Sequence, residues 1–219
     1  MFKEKAALAL EQIFNCCPTV VQHHLGQHVE IRKMPKDSIL IREGEMSDGV
    51  LIILEGSIKL YLKKRKKDQV FLFKTVNEML GLQQSINNKT YNYFASAMED
   101  SVVAFIPIRH VLEILTMHPN AFLSLMKMVN QKAVEIESRT SLMMTDTAEK
   151  VVVKTMEDLK NRFGTDNNGY IKIHIPVKDL ASYVCMSKTN LYRVLQTLKE
   201  KMIITHHLDR YRLDKNLSH

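Results

Sequence analysis

Ser187, Lys188, Thr189, Tyr192, Arg193 and Gln196 fall within ten residues, and all six side chains donate or accept hydrogen bonds. They are interleaved with Leu191, Val194, Leu195 and Leu198. On a helix of 3.6 residues per turn the apolar set would share one face and the polar set the other. Arg193 can give two parallel bonds to guanine O6 and N7, worth roughly 1–3 kcal/mol of discrimination against a wrong base. Thr189 can touch a thymine methyl or accept a bond. Ser187, Lys188 and Tyr192 suit phosphates, which position a protein without reading sequence. Gln196 extends the outward row. This chemistry is recognition rather than bond-breaking. No Ser/His/Asp or Cys/His arrangement, Walker loop or metal motif is visible, so no enzymatic activity, metal or cofactor is expected. His110 and Glu113 can share a helix face, but no nucleophile lies near them in sequence, and they read as a surface pair at a helix start.

The elements that must hold the six residues are legible. Leu180, Ala181 and Val184 form the inner face of a first helix, and Cys185-Met186 fills a short turn. Ser187 can cap a second helix over about 187–199. Two amphipathic helices so joined read as a helix-turn-helix, whose second helix enters the major groove. An ordinary αα-hairpin is the alternative reading. Ile203–Thr205, His206–Asp209 and Arg210–Leu213 then read as a wing-like hairpin. Upstream, Ala148–Phe163 is expected as a helix, 164–169 as a turn and Tyr170–Ile175 as a strand. The formal charge of the chain is +7. Residues 147–219 hold 13 basic and 8 acidic side chains, whereas residues 1–146 hold 18 and 16. The excess therefore sits with the helix-turn-helix and points to a polyanion.

The first two-thirds read differently. Residues 4–16 have the spacing of a short amphipathic helix. From Val29 to about Ile108, β-rich runs recur at Val29–Arg32, Ser38–Ile41, Val50–Leu54, Ser57–Leu62, Gln69–Lys74, Tyr93–Met98 and Ser101–Pro107. Short strands separated by turn residues predict a sandwich or barrel. Gly49 and Gly56 bracket the run Val50–Leu54, which is apolar throughout and suits a strand buried on both faces. Gly56 is free to take positive φ at the turn that follows. The basic run Lys63 to Lys67 reads as an exposed hairpin tip, with a phosphate contact as the alternative. A short helix follows Pro107 and stops near His118-Pro119.

Residues 120–145 contain no Gly or Pro. Phe122, Leu125, Val129, Ala133, Ile136, Thr140 and Met143 recur there at steps of three or four, the seam of a paired helix. About 25 residues would give a helix of ~38 Å, long for a domain of this size. Self-association is the favoured reading, and packing on the chain's own β domain is the alternative. Met126, Met128, Met143 and Met144 suit an adaptable packing surface.

Cys16 and Cys17 are adjacent and Cys185 is distant, so neither a disulfide framework nor a zinc-type spacing exists. A redox role for Cys16 and Cys17 stays open. His23, His24 and His28 read as surface histidines. No apolar run approaches the roughly 18–20 residues of a membrane span, and the N-terminus lacks the apolar core of a signal peptide. The expected location is cytoplasmic, with no membrane partner.

From about Val29 to Leu213 the chain resembles the Crp/Fnr family of bacterial transcription regulators. The resemblance rests on Glu43-Gly44-Glu45, on Asp48 to Tyr61, on Asp179-Leu180-Ala181-Ser182-Tyr183 and on Arg193-Val194-Leu195. It implies an α+β architecture: an N-terminal β-roll of the cyclic-nucleotide-binding-like jelly-roll type (1–118), a long dimerisation helix (119–146) and a C-terminal winged helix-turn-helix (147–219). It further implies a homodimer on a two-fold symmetric double-stranded DNA operator, with RNA polymerase as a further partner. It places an effector pocket around Gly81, Leu82, Gln83, Tyr91, Asn92 and Tyr93. Cyclic-nucleotide-binding members of the family carry Gly-Glu and Arg-Ser pairs in such a pocket. Here Gly81 is followed by Leu82, and Tyr91-Asn92 stands in the place of Arg-Ser. A buried cyclic phosphate needs a compensating cation, so weak or no cAMP binding is expected. Three cysteines do not match the four-ligand iron–sulfur branch. The alternative function is a small-molecule sensor for another ligand, or a haem- or redox-responsive one, whose signal gates DNA binding. Lys188-Thr189 replaces the Arg-Glu common at the start of the family's recognition helix, so a shifted operator preference is expected.

Overall fold

The computed structural model describes residues 2–14, 28–64 and 67–214. Cys16, Cys17, His23, His24, Arg65 and Lys66, which entered the expectations above, lie outside these residues. The element order is α1 (Phe2–Phe14), β1 (Glu30–Met34), β2 (Ile39–Ile41), β3 (Gly49–Glu55), β4 (Ile58–Lys64), β5 (Lys67–Lys74), β6 (Met79–Leu80), α2 (Leu82–Ile86), β7 (Phe94–Ala97), β8 (Ser101–Pro107), α3 (Ile108–Met117), α4 (Pro119–Thr145), α5 (Ala148–Phe163), α6 (Val177–Tyr183), α7 (Lys188–Glu200), β9 (Ile204–His207) and β10 (Arg210–Leu213). The chain divides into two compact units. One comprises Met1–Lys63 and Phe73–Glu135, the other Lys64–Leu72 and Ile136–His219.

The strands β1 to β8 form two sheets of four, in the orders β1-β8-β3-β6 and β2-β7-β4-β5, the first of them wholly within the first unit. This is the expected jelly-roll-like β architecture. The run Val50–Leu54 lies in β3, which pairs with β8 (Ile52 opposite Ala104) and is buried from Gly49 to Leu54. Burial on both faces explains why this strand is apolar at every position rather than at every second one. At the β3–β4 turn Gly56 has φ +84°, and a Cβ there would meet the Ser101 side chain and the Asp100 carbonyl at under 3 Å. Only glycine fits that turn. Ala6, Ala9, Leu10, Ile13 and Phe14 of α1 pack into one core with Val50, Ile52, Val102, Ala104 and Ile106. Val111 and Ile114 of α3 and Ala121 and Leu125 of α4 complete it. Two short elements had no counterpart in the sequence reading: β6, of two residues, and α2, of five.

Leu125 corrects the expected helix seam. It is 4% exposed and belongs to the chain's own core, whereas Phe122, Val129, Ala133, Ile136 and Thr140 face outward. At 100° per residue those five fall within an arc of about 60°, and Leu125 lies at its edge, turned toward Ala121. Met143 is half-buried. A period near 3.5 cannot separate two adjacent faces of one helix, and here α4 has both.

In the second unit α5 starts at the expected residue, with the Thr147 hydroxyl accepting from the Lys150 amide at 3.3 Å. Its Val151, Val152, Met156 and Leu159 are buried, as are Leu180, Ala181 and Val184 of the next segment. The expected strand Tyr170–Ile175 is a correction. Its burial alternates, with Ile171, Ile173 and Ile175 inside, but it pairs only through isolated bridges, Thr165 with Ile171 and Tyr170 with Arg212. Ile171 and Ile175 donate to Tyr211 and Asp209, while the Lys172 amide turns back to the Gly164 carbonyl at 3.1 Å. Between the bonds to Tyr211 and Asp209 the segment advances four residues and the hairpin two, so the register slips and no continuous ladder forms, and Pro176 then opens α6.

Candidate nucleic-acid interface

Helices α6 and α7 and the hairpin β9–β10 build the surface that carries the six outward residues. Pro176 caps the start of α6, its carbonyl accepting from the Asp179 and Leu180 amides while its missing N–H costs nothing there. The turn after α6 needs a left-handed residue, and Cys185 takes it at φ +54°. Cys185 is a free, exposed thiol. Ser187 then caps α7, its hydroxyl accepting from the Asn190 amide at 3.1 Å. Leu191, Val194, Leu195 and Leu198 are buried, as the spacing requires. Ser187, Lys188, Thr189, Tyr192, Arg193 and Gln196 are all exposed. The sequence thus brings all six to one open face.

Their bonding states differ. Among the described residues, the side chains of Lys188, Thr189 and Tyr192 make no hydrogen bond or ion pair. Gln196 donates to Glu200 at 3.0 Å, and Arg193 donates to Asn190 at 2.8 Å. The other cations of this unit divide similarly. Lys150, Lys154, Arg162, Lys201, Arg210 and Arg212 each face a carboxylate. Lys160, Lys172, Lys178, Lys188, Arg193 and Lys199 have no carboxylate partner among the described residues. Three of these six, Lys188, Arg193 and Lys199, lie on α7, and the others are Lys160 of α5, Lys172 of the segment before α6 and Lys178 of α6. An exposed helix start with free hydroxyls, a free ammonium and an uncompensated guanidinium can bind phosphates and present donors to base edges.

The wing is tied down at its base. The Asn168 and Tyr170 amides and the Arg210 guanidinium bond to Asp166, and they hold its carboxyl below the usual range despite the opposing loss of solvent. Arg210 and Arg212 both lie over the Tyr170 ring, at 4.7 and 5.4 Å. Burial, with help from the Lys199 and His207 charges, lowers the pKa of His206. Tyr211 is buried and its phenol is pushed up by that burial.

No pattern in the amino-acid order pointed to Arg139. Its guanidinium lies over the Tyr183 ring at 3.7 Å and donates to the carbonyls of Phe71 at 2.8 Å and Tyr183 at 2.5 Å. Ser182 adds a bond to the Val70 carbonyl at 3.2 Å. These bonds bind α6 to residues 70–71 and to the C-terminal part of α4. An arginine among polar neighbours on a helix carries no periodic signal, so spacing alone could not single it out.

The second expected cluster lies in the first unit, where the loop 44–48 meets the segment 81–93. The pocket set divides there. Gly81, Tyr91 and Tyr93 are buried, Leu82 is half-buried, and Gln83 and Asn92 are exposed. The Ser47 and Ser85 hydroxyls lie 2.6 Å apart. The shortest contacts form a relay, with Ser47 donating to Ser85 and Ser85 to the Gly49 carbonyl at 2.7 Å, while the Gly81 carbonyl lies 3.2 Å from the Ser47 hydroxyl. Gly81 has φ +83°, and a Cβ there would stand 2.7 Å from the Tyr91 hydroxyl and 2.9 Å from the Gly49 oxygen. Tyr91 meets Tyr93 edge to face at 5.7 Å. Burial raises the pKa of both phenols, against hydrogen bonds from Ser47 and the Gly81 backbone. Sequence reasoning missed Ser47 and Ser85, since small hydroxyl residues 38 apart have no spacing signature.

His110 and Glu113 do pair, at 3.1 Å, but not on the surface as expected. His110 is buried under the exposed His28 ring, stacked at 3.8 Å, and its other nitrogen accepts from Arg109. Among the described residues no group of His, Cys, Asp and Glu is arranged to hold a metal, and no helix is long and apolar enough to cross a membrane.

Residues 31–118 match the cyclic nucleotide-binding domain family. The chain is 23% identical to electron transport regulator A of Shewanella oneidensis, over 86% of its own length and 78% of that protein. It is 20% identical to the cAMP-activated global transcriptional regulator CRP of Salmonella typhimurium, over 82% and 87%. Among solved structures, a transcriptional regulator of the CRP/FNR family from Thermus thermophilus aligns with a TM-score of 0.71 at 15% identity, over 84% and 93% of the two chains. These relatives are regulators, not enzymes.

Proposed function

From a chain that is a homologue of the Crp/Fnr-type transcription regulators, with a cyclic nucleotide-binding domain over residues 31–118, we propose a homodimeric, sequence-specific DNA-binding regulator. One observation carries this reading. Helix α7 exposes Ser187, Lys188, Thr189, Tyr192, Arg193 and Gln196 on one face while its cations there lack carboxylate partners. Its N-terminal half enters the major groove, Arg193 and Thr189 read bases, and Ser187, Lys188 and Tyr192 hold phosphates. The wing β9–β10 lies beside the backbone.

Two copies pair through α4. Phe122, Val129 and Ile136 are 49%, 46% and 64% exposed, an apolar stripe left uncovered among the described residues. Large exposed apolar stripes on a helix call for a partner. The operator is two-fold symmetric as a consequence, and RNA polymerase is a further partner. The functional division is β-roll (1–118), pairing helix (119–146) and DNA-binding unit (147–219), in the cytoplasm.

The pocket segment does not take cAMP in this reading. Ser47 and Ser85 bond to each other there, Tyr91 packs on Tyr93, and neither Tyr91 nor Asn92 brings a cation for a phosphate. Titration calorimetry with cAMP is expected to give no heat of binding, and saturable binding would restore a nucleotide sensor.

The DNA reading is tested by enriching duplexes from a randomised library with the full-length chain. A two-fold symmetric duplex is expected, with affinity falling steeply between ~50 and ~200 mM salt. Enrichment of nothing, or a flat salt dependence, would overturn it. Replacing Val129 and Ile136 by Asp should yield monomers in sedimentation; an intact dimer would move the interface elsewhere.

A further inference from the structure

Arg193 is exposed, yet its guanidinium is already held. Its Nη2 donates to the Asn190 side-chain oxygen at 2.8 Å, one helical turn back. Residues three apart share a face, so the bond lies on the same outward side as the six candidate residues. Asn190 is itself anchored, since its backbone N–H is the one that the Ser187 hydroxyl accepts. It is half-buried, and Arg193 is exposed. The Arg193 carbonyl in turn accepts from the Thr197 hydroxyl at 3.1 Å.

We propose that Asn190 is a positioning residue that presets the Arg193 guanidinium for base reading. The inference rests on the DNA-binding reading above and deepens it. A guanidinium has five N–H donors, and one bond to Asn190 leaves four, where two parallel bonds to a guanine need two. A free arginine side chain must be frozen on docking, and that ordering weakens binding; a bond formed beforehand removes part of the loss. The choice of a carboxamide matters. The unit's paired cations, such as Lys150 with Asp146 and Lys201 with Glu149, are neutralised by their partners. Asn190 restrains Arg193 and leaves its charge intact for DNA.

The test uses the full-length chain and the duplex it enriches from a randomised library, together with duplexes in which each guanine is replaced in turn. Asn190→Ala keeps the backbone N–H, so the Ser187 cap survives and thermal unfolding should be unchanged. The variant is expected to lose roughly threefold to tenfold of its discrimination at the position where Arg193→Ala loses discrimination. The double variant should lose no more than Arg193→Ala alone. Asn190→Asp, which keeps the acceptor, should restore discrimination while weakening binding to every duplex. Undiminished discrimination in Asn190→Ala would overturn the positioning role, and so would a loss that persists in the Arg193→Ala background. If Arg193→Ala itself discriminates like the wild type, the base-reading assignment fails, and this proposal with it.

Discussion

The loop cluster around Gly81 and the face of α7 are both rich in hydroxyls and polar groups, and they use them in opposite ways. In the cluster Ser47, Ser85, Gly49 and Gly81 bond to one another, and the Tyr91 and Tyr93 rings close over them. On α7 the side chains of Lys188, Thr189 and Tyr192 bond to nothing in the chain among the described residues. Buried polar groups must be paired, because an unmet one costs about 1–3 kcal/mol. Exposed ones are paired with water and can exchange it for a ligand at little cost. The first region therefore gains rigidity from its polarity, and the second leaves its polar side chains open to exchange water for a ligand. This contrast supports the proposed recognition role of α7 and the proposed indifference of the Gly81 segment to cAMP.

Three substitutions press on that contrast, in order of expected size. Gly81→Val would place a branched side chain at φ +83°, with its Cβ against the Tyr91 hydroxyl and the Gly49 carbonyl. Backbone strain alone costs about 1–3 kcal/mol, and the steric conflict adds to it. Calorimetry should show a lowered unfolding transition; an unchanged one would mean the cluster is loose enough to rearrange, and the contrast would weaken. Arg193→Ala should cost about 1–3 kcal/mol per half-site in discrimination without lowering the unfolding temperature. A stability loss as large as the binding loss would make α7's outer face a structural surface. Ser85→Ala removes the bond to Gly49 and half of the Ser47 pair, and about 1–2 kcal/mol of stability should go with it. If instead stability is kept and cAMP now binds, the hydroxyl pair acts as a closure over a working pocket.

Much of this molecule was legible beforehand for a specific reason. Where a face is buried against a single neighbour, periodicity reports it directly. The inner residues of α6 and α7 follow that rule; the β3 run, buried on both faces, shows instead as an unbroken apolar stretch, and Thr147 and Ser187 mark helix starts by residue type. Where two faces compete, periodicity fails. Leu125 carries the same spacing as Phe122 and Val129 but turns into the core. Tyr170–Ile175 alternates like a strand, yet its bonds to Tyr211 and Asp209 fall four residues apart on one side and two on the other, so the register slips and no ladder forms. The five-residue α2 and the two-residue β6 are shorter than any period that could announce them.

The candidate sites divide in the same manner. All six outward residues of α7 came from residue type and spacing, because a capped amphipathic helix leaves little freedom in which side chains face out. Asn190 was not among them, although it stands between Thr189 and Leu191; only the placed side chain joins it to Arg193. The pocket set was named from its segment, but the segment could not tell Tyr91, which turns inward, from Asn92, which does not.

By itself, then, the amino-acid order determined the local elements, the charge excess of the last third and the polar face of α7. These depend on nearest neighbours along the chain. The tertiary structure decided the rest: that Ser47 and Ser85 meet, that Arg139 binds Tyr183 and Phe71, and that Leu125 belongs to the core while Ile136 does not. Those outcomes depend on groups distant in sequence satisfying each other's hydrogen bonds and excluding each other's water, and no pattern within one segment encodes them.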